Sequence, residues 1–525
     1  MNDFIHKYQD QLSGTLSGFD RLVFRGTLWK NALSGMSGYL WAHHLGAKDF
    51  AAHAEEISKR MKEASLLTAL ETHRPIRYLN SGKENKQQIA AEIAAQDGIT
   101  EGPICVLSAV ELCRSYTIRR NPRTQRPELS IAPRKCLFLY HYWMHPVFGF
   151  MSVRLQTWFP FSIHLYLNGR EWLARQMDRA GIRYRRHDNC FTWIENVERA
   201  QALLNEQLKT NWVKRFDPIA RQVHPLLFSE LCTNYPMKYF WTCQDSEWAL
   251  DLMFRDPNCL RRLVPRLLRL GVIALSSPDV LRFMGKKVTR QGNAAAGLKL
   301  PLSSDLKVRS HGARVKHRLG PNSIKLYDKA YDRLGAVLRA EMTISTARYF
   351  QVYRRTDKRP SALAWRPMRQ STADMHHRAE VSQSALNRYC CTLAAVDDSH
   401  TLQELTAQVE RRVCWKGQTV RALHPFHPQD HALLQAIHRG EFQINGFRNK
   451  DLQALFYSTP PKTHAERHRR SAAISRRLRM LRAHGLIRKR PHSYRYDVSA
   501  YGRVFLNAIL LANHLTVQQI NAMAA

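Results

Sequence analysis

From Leu306 to Ile344 charged and apolar residues change places at nearly every second position, and only extended backbone puts alternate side chains on opposite faces. "DLKVRSHGARVKHRLGPN" sets Lys307, Arg309, Arg314, Lys316 and Arg318 on one face, with Leu306, Val308, Val315 and Leu319 on the other. "NSIKLYDKAYDRLGAVLRAEMTI" continues with Lys325, Tyr327, Lys329, Arg339, Glu341 and Thr343 against Leu338, Ala340, Met342 and Ile344. His311-Gly312 and Gly320-Pro321 supply turn dihedrals. The stretch therefore predicts a four-stranded antiparallel meander with one basic face. A one-residue slip would bury those charges, which fixes the register.

Like charges this close repel unless an anion lies on them. The whole chain has the same bias: 80 Lys plus Arg against 43 Asp plus Glu leave a net charge of +37. Such a field attracts polyanions, and nucleic acid is the commonest large one because each neutralised phosphate releases condensed counterions. Arginines number 57 against 23 lysines, and the planar guanidinium suits bidentate phosphate and base-edge contacts. A strand crossing the face would neutralise it while Tyr327 stacks on a base, an interaction worth roughly 1–3 kcal/mol. The competing reading is a solvated outer face of an ordinary sheet.

Glu341 is the acid in that surface and admits two readings. Either it is an ion-pair partner fixing Arg339 or Lys325, or it ligates a divalent metal or serves as general base beside a scissile phosphate. A metal needs more than one carboxylate. Asp20 in "FDRLVFRG", Glu171 at the start of a central helix, and Glu247 and Asp251 in "QDSEWALDLMF" are the other catalytic candidates; the last two are four apart and so share a face of an expected helix. Mg²⁺ or Mn²⁺ belongs only to this nuclease reading, and no other cofactor is called for.

Other chemistries lack their residues. The chain has no GxxxxGK[ST] phosphate loop, no GxSxG and no HExxH, so neither a nucleotide-driven motor nor those hydrolase classes are implied. Ten cysteines are scattered without CxxC or zinc spacing and read as reduced thiols. Two histidine clusters, "YHYWMH" (His141, His145) and "HPFHPQDH" (His424, His427, His431), read as loop or packing histidines. No run of about 18 apolar residues offers a membrane span, and "MNDFIHKYQDQLSG" lacks the pattern of a secretory signal. The expected location is cytoplasmic, with no membrane partner.

A chain of 525 residues exceeds one ordinary core. Residues 1–111 read as an N-terminal α/β domain, with strand-like "FDRLVFRGTLW" and helical "AAHAEEISKRMKEASLLTAL" and "KENKQQIAAEIAAQ". Residues 112–350 read as a central α+β nucleic-acid-gripping domain. It opens on a hairpin, "LCRSYTIRR-NPRTQRPE-LSIAPRK", with Arg119, Arg120, Arg123 and Arg126 at its tip. A helix beginning near Asn168-Gly169 follows, then a mainly helical stretch over 195–285, then the basic sheet. Residues 351–430 form a helical or irregular connector.

Residues 431–525 carry the most specific fold signal: helix, helix, long helix, then the hairpin "RKRPHSYRYDVSAYG", the order of a winged helix-turn-helix. In the long helix Ile474, Leu478 and Leu481 keep burial spacing and Gly485 ends it. Arg469, Arg476 and Arg479 fall on the opposite face, the one a recognition helix offers to a major groove. Arg488, Lys489, Arg490 and Arg495 populate the wing. Between 464 and 495 there are 11 Lys plus Arg and one acid, Glu466. The fold class is thus multidomain α+β: a central antiparallel β-sheet with helices, plus a C-terminal winged helix-turn-helix.

"FDRLVFRG", "VRLQTWFPFSIHLYLNGREWL", "DNCFTWI", "GARVKH", "NSIKLYDK" and "LRAEMTI" resemble recurring blocks of a broad family of uncharacterised bacterial proteins, some labelled MarR-like. That label fits the C-terminal module and implies DNA binding there. Separately, "KLYDK" followed by "LRAE" resembles late strands of plasmid and phage replication initiators. Initiators of the HUH class carry His-hydrophobic-His and a nucleophilic Tyr, where this chain has His164 and Tyr166 in "SIHLYLNG".

Taken together, the sequence reads as a nucleic-acid-binding protein, for DNA or structured RNA, of a mobile element or ribonucleoprotein. The alternatives are a metal-dependent nuclease or strand-transfer enzyme of replication-initiator type, and a winged-helix transcriptional regulator. Homo-oligomerisation is left open.

Overall fold

The computed structural model describes residues 3–28, 33–273, 302–309, 312–329, 336–355, 363–394, 401–438, 442, 446–491 and 493–513. Thirteen strands carry the argument: β1 (Leu12–Leu28), β2 (Ile76–Tyr78), β3 (Gly102–Arg120), β4 (Pro127–His145), β5 (Gly149–Gln156), β6 (Ile163–Asn168), β7 (Tyr184–His187), β8 (Cys190–Ile194), β9 (Tyr239–Phe254), β10 (Leu302–Arg309), β11 (Gly312–Leu319), β12 (Asn322–Asp328) and β13 (Val337–Ile344). By compactness the chain forms two discontinuous units. The first comprises 14–251 and 343–380, the second 1–13, 252–342 and 381–525. Strands β9 and β13 contribute residues to both.

In the first unit the strand order is β13-β9-β1-β6-β5-β4-β3-β2. Neighbours from β1 to β3 run antiparallel, but β2 lies parallel to β3, with Ile76 opposite Val106. The sheet is therefore mixed, where the sequence predicted an antiparallel one. A three-residue edge strand followed by the helix Lys86–Gln96 is a crossover that returns the chain in the same direction.

Four helices of this unit are started by asparagine caps. Asn85, Asn168, Asn196 and Asn211 each accept a hydrogen bond from a first-turn backbone N–H of the helices Lys86–Gln96, Gly169–Arg179, Val197–Glu206 and Trp212–Val223. Trp172, Leu173 and Met177 of the second are buried, as their spacing required. The helix Phe50–Glu71 buries Phe50, Ala54, Ile57 and Met61.

Over 195–273, the described part of the stretch expected to be mainly helical, helices do predominate, but one long strand interrupts them. Between the helices Trp212–Val223 and Pro257–Ile273 runs β9, so Glu247 and Asp251 sit on a strand and not on a helix. Every residue from Trp248 to Phe254 is buried. A strand covered on both faces loses period-two alternation, and its apolar run then imitates a buried helix.

In the second unit the order is β10-β11-β12-β13-β9. The registers put Lys307 opposite Arg314, Arg314 opposite Tyr327, Lys316 opposite Lys325 and Arg318 opposite Ser323. Gly320, at φ 62°, and Pro321 make the two-residue turn between β11 and β12. Behind this face Val315, Leu319, Ile324 and Leu326 are buried, and the helix Pro257–Ile273 packs on β11 and β12. Leu306 and Val308 on β10 are exposed instead, Val308 at 80%, so the apolar backing ends at β11.

The chain from 428 onward folds as the helices Pro428–His438, Asn449–Phe456 and His464–Ala483. A short antiparallel pair, Ile487–Lys489 with Tyr496–Val498, and the helix Ala500–Ala512 follow. Leu434, Ile437, Phe447, Leu452, Ile474, Leu478, Leu481, Phe505 and Ile509 share one apolar cluster.

Among the described residues, no helix is long and apolar enough to cross a membrane.

Candidate nucleic-acid interface

In an antiparallel ladder directly opposed residues share a face. The observed registers therefore place Lys307, Arg314, Lys316, Arg318, Lys325 and Tyr327 on one surface, with Asp305 and Glu341 as its acids. Arg309 pairs through its backbone with Gly312. Arg318 is exposed, and Lys307, Arg314, Lys316, Lys325, Tyr327 and Lys329 are half-buried. Asp305 reaches Arg318 at 3.7 Å. Arg339, by contrast, is fully buried on β13. A long side chain with no exposed surface fixes the sheet and leaves the contacting surface to β10, β11 and β12.

Glu341 is buried and holds the surface from its inner edge. Lys325 forms an ion pair with its Oε1, and the Tyr327 hydroxyl donates to its Oε2 at 2.9 Å. This is the ion-pair arrangement, with Lys325 as the partner. Both oxygens carry a donor, so the carboxylate orients the cation and the ring that face outward beside it.

Asp20 and Glu247 meet within the first unit. They stand on the adjacent strands β1 and β9, and a carboxylate oxygen of one lies within 4.8 Å of the other's. Asp20 is buried and accepts from the Asn189 amide at 2.8 and 2.7 Å. Glu247 accepts from Arg21 at 3.0 Å and from the Thr343 hydroxyl at 3.4 Å, while Asp245 takes Arg21 at 2.6 Å and Ser345 at 2.9 Å. Glu341 stands two residues before Thr343 on the same face of β13.

The remaining acidic candidates are engaged elsewhere. Glu171 pairs with Arg186 at 2.5 Å, and Asp251 with Arg170 at 2.9 Å, the latter pair almost wholly inaccessible. Sequence reading missed Asn189, which "DNCFTWI" places at the tight β7–β8 turn, and it missed Arg21; Thr343 it set on the face of Glu341 without a role. Their one signal was position, beside Asp20 and two residues after Glu341.

The hairpin at 112–135 is longer than its sequence suggested: β3 and β4 each run 19 residues, about 60 Å at ~3.3 Å per residue. Asn121 shapes its tip by accepting from the backbone N–H of Arg123 and Thr124 and donating to Glu128. Arg119, Arg120, Arg123 and Arg126 are all exposed there.

On the helix His464–Ala483, Arg469, Arg476 and Arg479 are exposed while Ile474, Leu478 and Leu481 are buried, and Gly485 at φ 72° ends the turn. Arg479 donates to Gln418. In the strand pair beyond, Arg488 and Lys489 are exposed, Arg490 pairs with Asp497 at 2.7 Å, and Arg495 reaches the Gly446 carbonyl at 3.4 Å.

Of the histidines in the two clusters, His141, His145 and His431 are packed or bonded locally, and His424 and His427 are exposed loop residues. Burial pushes His141 down to about 4; His145 Nδ1 accepts from Val147 N–H, and His431 bonds the Pro425 carbonyl. Neither a family model, nor a curated protein, nor a solved structure matches this chain.

Proposed function

We propose that the protein binds nucleic acid, DNA or structured RNA, and does so through the basic surface of β10, β11 and β12. The observation that carries this reading is the register. It gathers Lys307, Arg314, Lys316, Arg318 and Lys325 beside Tyr327, with only Asp305 and Glu341 among them. That surplus is unfavourable without a polyanion on it. The C-terminal segment supports a second contact. Read as a winged helix-turn-helix, its helix His464–Ala483 offers Arg469, Arg476 and Arg479 to a duplex, and Arg488 and Lys489 supply the wing. A component of a mobile element or ribonucleoprotein fits this pairing of a strand-gripping sheet with a duplex reader. The deciding experiment purifies the protein from its host and sequences what comes with it. A discrete RNA or DNA locus is expected; protein free of nucleic acid at low salt would remove the proposal.

A second reading, metal-dependent cleavage, is favoured by one observation, the approach of Asp20 and Glu247. It ranks second because Asn189, Arg21 and Thr343 already donate to those oxygens, whereas a divalent cation requires free lone pairs. Cleavage by the wild type in Mg²⁺ or Mn²⁺, abolished in Asp20→Asn, Glu247→Gln or Glu341→Gln with binding retained, would promote it to first place.

A further inference from the structure

On the polar face of the first unit's sheet, three nitrogen-bearing side chains stand in a row across adjacent strands. Arg25 on β1 is directly opposite His164 on β6, and His164 is directly opposite Arg154 on β5. Opposed residues of an antiparallel ladder are close neighbours on one face, so an arginine stands on each side of one histidine. All three side chains are half-buried. Like charges set this close in partial burial are unfavourable, and the sheet contains no acid between them.

Arg154 has Tyr140 and Tyr166 as hydrogen-bond partners and His164 has Gln244, but none of these reaches every nitrogen of the row. Arg25 donates to the Ser162 hydroxyl at 3.2 Å. Arg154 donates to Glu111 at 2.8 Å and lies over the Phe138 ring, 3.8 Å from its centroid. Glu111 is shared with Lys86 and the Tyr140 hydroxyl, so its one charge offsets Arg154 in part and leaves Arg25 unmatched. What remains is three buried nitrogens without a hydrogen-bond partner: Nε of Arg25, Nε of Arg154 and Nδ1 of His164. Buried donors are almost always satisfied, and three orphans in neighbouring side chains ask for a common acceptor. The imidazole itself is neutral, since burial and then the charges of Arg154 and Arg25 push its pKa down to about 3. The two charges therefore both act on the position it occupies.

We infer that Arg25, His164 and Arg154 form a seat for one phosphate group. A carboxylate offers two coplanar oxygens, suited to a single guanidinium fork. A tetrahedral phosphate offers oxygens in several directions and can accept from two arginines and an imidazole at once. The expected source is a phosphodiester of bound nucleic acid, and only that source rests on the proposed function. A small phosphate compound would use the same donors.

The test uses the full chain and two probes, inorganic phosphate followed by ³¹P NMR and a fluorescent single-stranded oligonucleotide followed by anisotropy, on the wild type, Arg25→Gln, Arg154→Gln and Arg154→Lys. Circular dichroism and thermal melts establish that each variant folds, and Arg154→Lys keeps the charge beside Glu111. The expected result is oligonucleotide binding by the wild type that weakens at least tenfold in each glutamine variant and partly recovers in Arg154→Lys. Phosphate binding lost in the same variants, without oligonucleotide binding, keeps the seat and removes the nucleic-acid source. Oligonucleotide affinity unchanged in both folded glutamine variants overturns the seat and leaves the proposed function standing. No binding of either probe by the wild type overturns the seat, and the nucleic acid that co-purifies then decides the proposed function by itself.

Discussion

Buried charge separates structural from functional residues along this chain. Arg170 and Asp251 form an ion pair with side-chain exposures of 0% and 1%, and removing one partner leaves the other uncompensated in a dry site. Arg170→Met should destabilise the protein by roughly 3–5 kcal/mol, and the double variant Arg170→Met, Asp251→Leu by much less; urea melts of both check this, and equal losses would contradict it. Two buried histidines, His141 and His224, and the half-buried His164 set an acid limit. Burial pushes His141 down to about 4 and His164 and His224 to about 3 from an ordinary 6.5, with Arg154 and Arg25 adding to the shift of His164. Below pH 6.5 the unfolded chain binds more protons than the folded one, so stability is complete above that value and falls as the pH drops toward 4. For His141 alone the loss is on the order of 3 kcal/mol, and the urea midpoint of a His141→Gln variant should fall less between pH 7 and 4.5 than the wild type's. The role of Glu341 as a partner of Lys325 was legible because period-two alternation puts it on the face that Arg339 and Lys325 share. The partners of Asp20 and Glu247 were not, because hydrogen bonds such as Asn189 to Asp20 join residues far apart in sequence.

Elements announced themselves where one face is wet and stayed hidden where none is. The helix His464–Ala483 buries Ile474, Leu478 and Leu481 and exposes Arg469, Arg476 and Arg479, so its period was plain. Ile474→Ala should cost about 2–4 kcal/mol through lost burial and the cavity left. Arg476→Ala should change stability by less than about 0.5 kcal/mol while weakening duplex binding at low salt. Equal effects of the two on melting would contradict that assignment of faces. The strands β11 and β12 were legible for the same reason, a buried row behind a basic one. Strand β9 was not, since burial on both sides erased its alternation, and the edge strand β2 is too short to carry a pattern. The base of the β3–β4 hairpin escaped notice because Ile104 to Ala109 are all buried, which erases the alternation that marks a strand.

At the scale of the whole molecule, the two compact units are each assembled from separated stretches of chain, an arrangement that linear patterns do not encode because it is made by strand order. Net charge, in contrast, needs no fold to be read, and it bears directly on binding. Each phosphate neutralised by a cation contributes about −0.9 to the slope of log affinity against log salt for duplex DNA, or about −0.7 for a single strand. The most direct measurement is therefore the salt dependence of affinity for the nucleic acid that co-purifies, compared between the wild type and a folded Arg314→Gln, Lys316→Gln, Arg318→Gln variant. The account predicts a steep negative slope for the wild type and one shallower by about two to three units for the variant. Identical slopes would contradict it, because the surface of β10, β11 and β12 would then touch no phosphate.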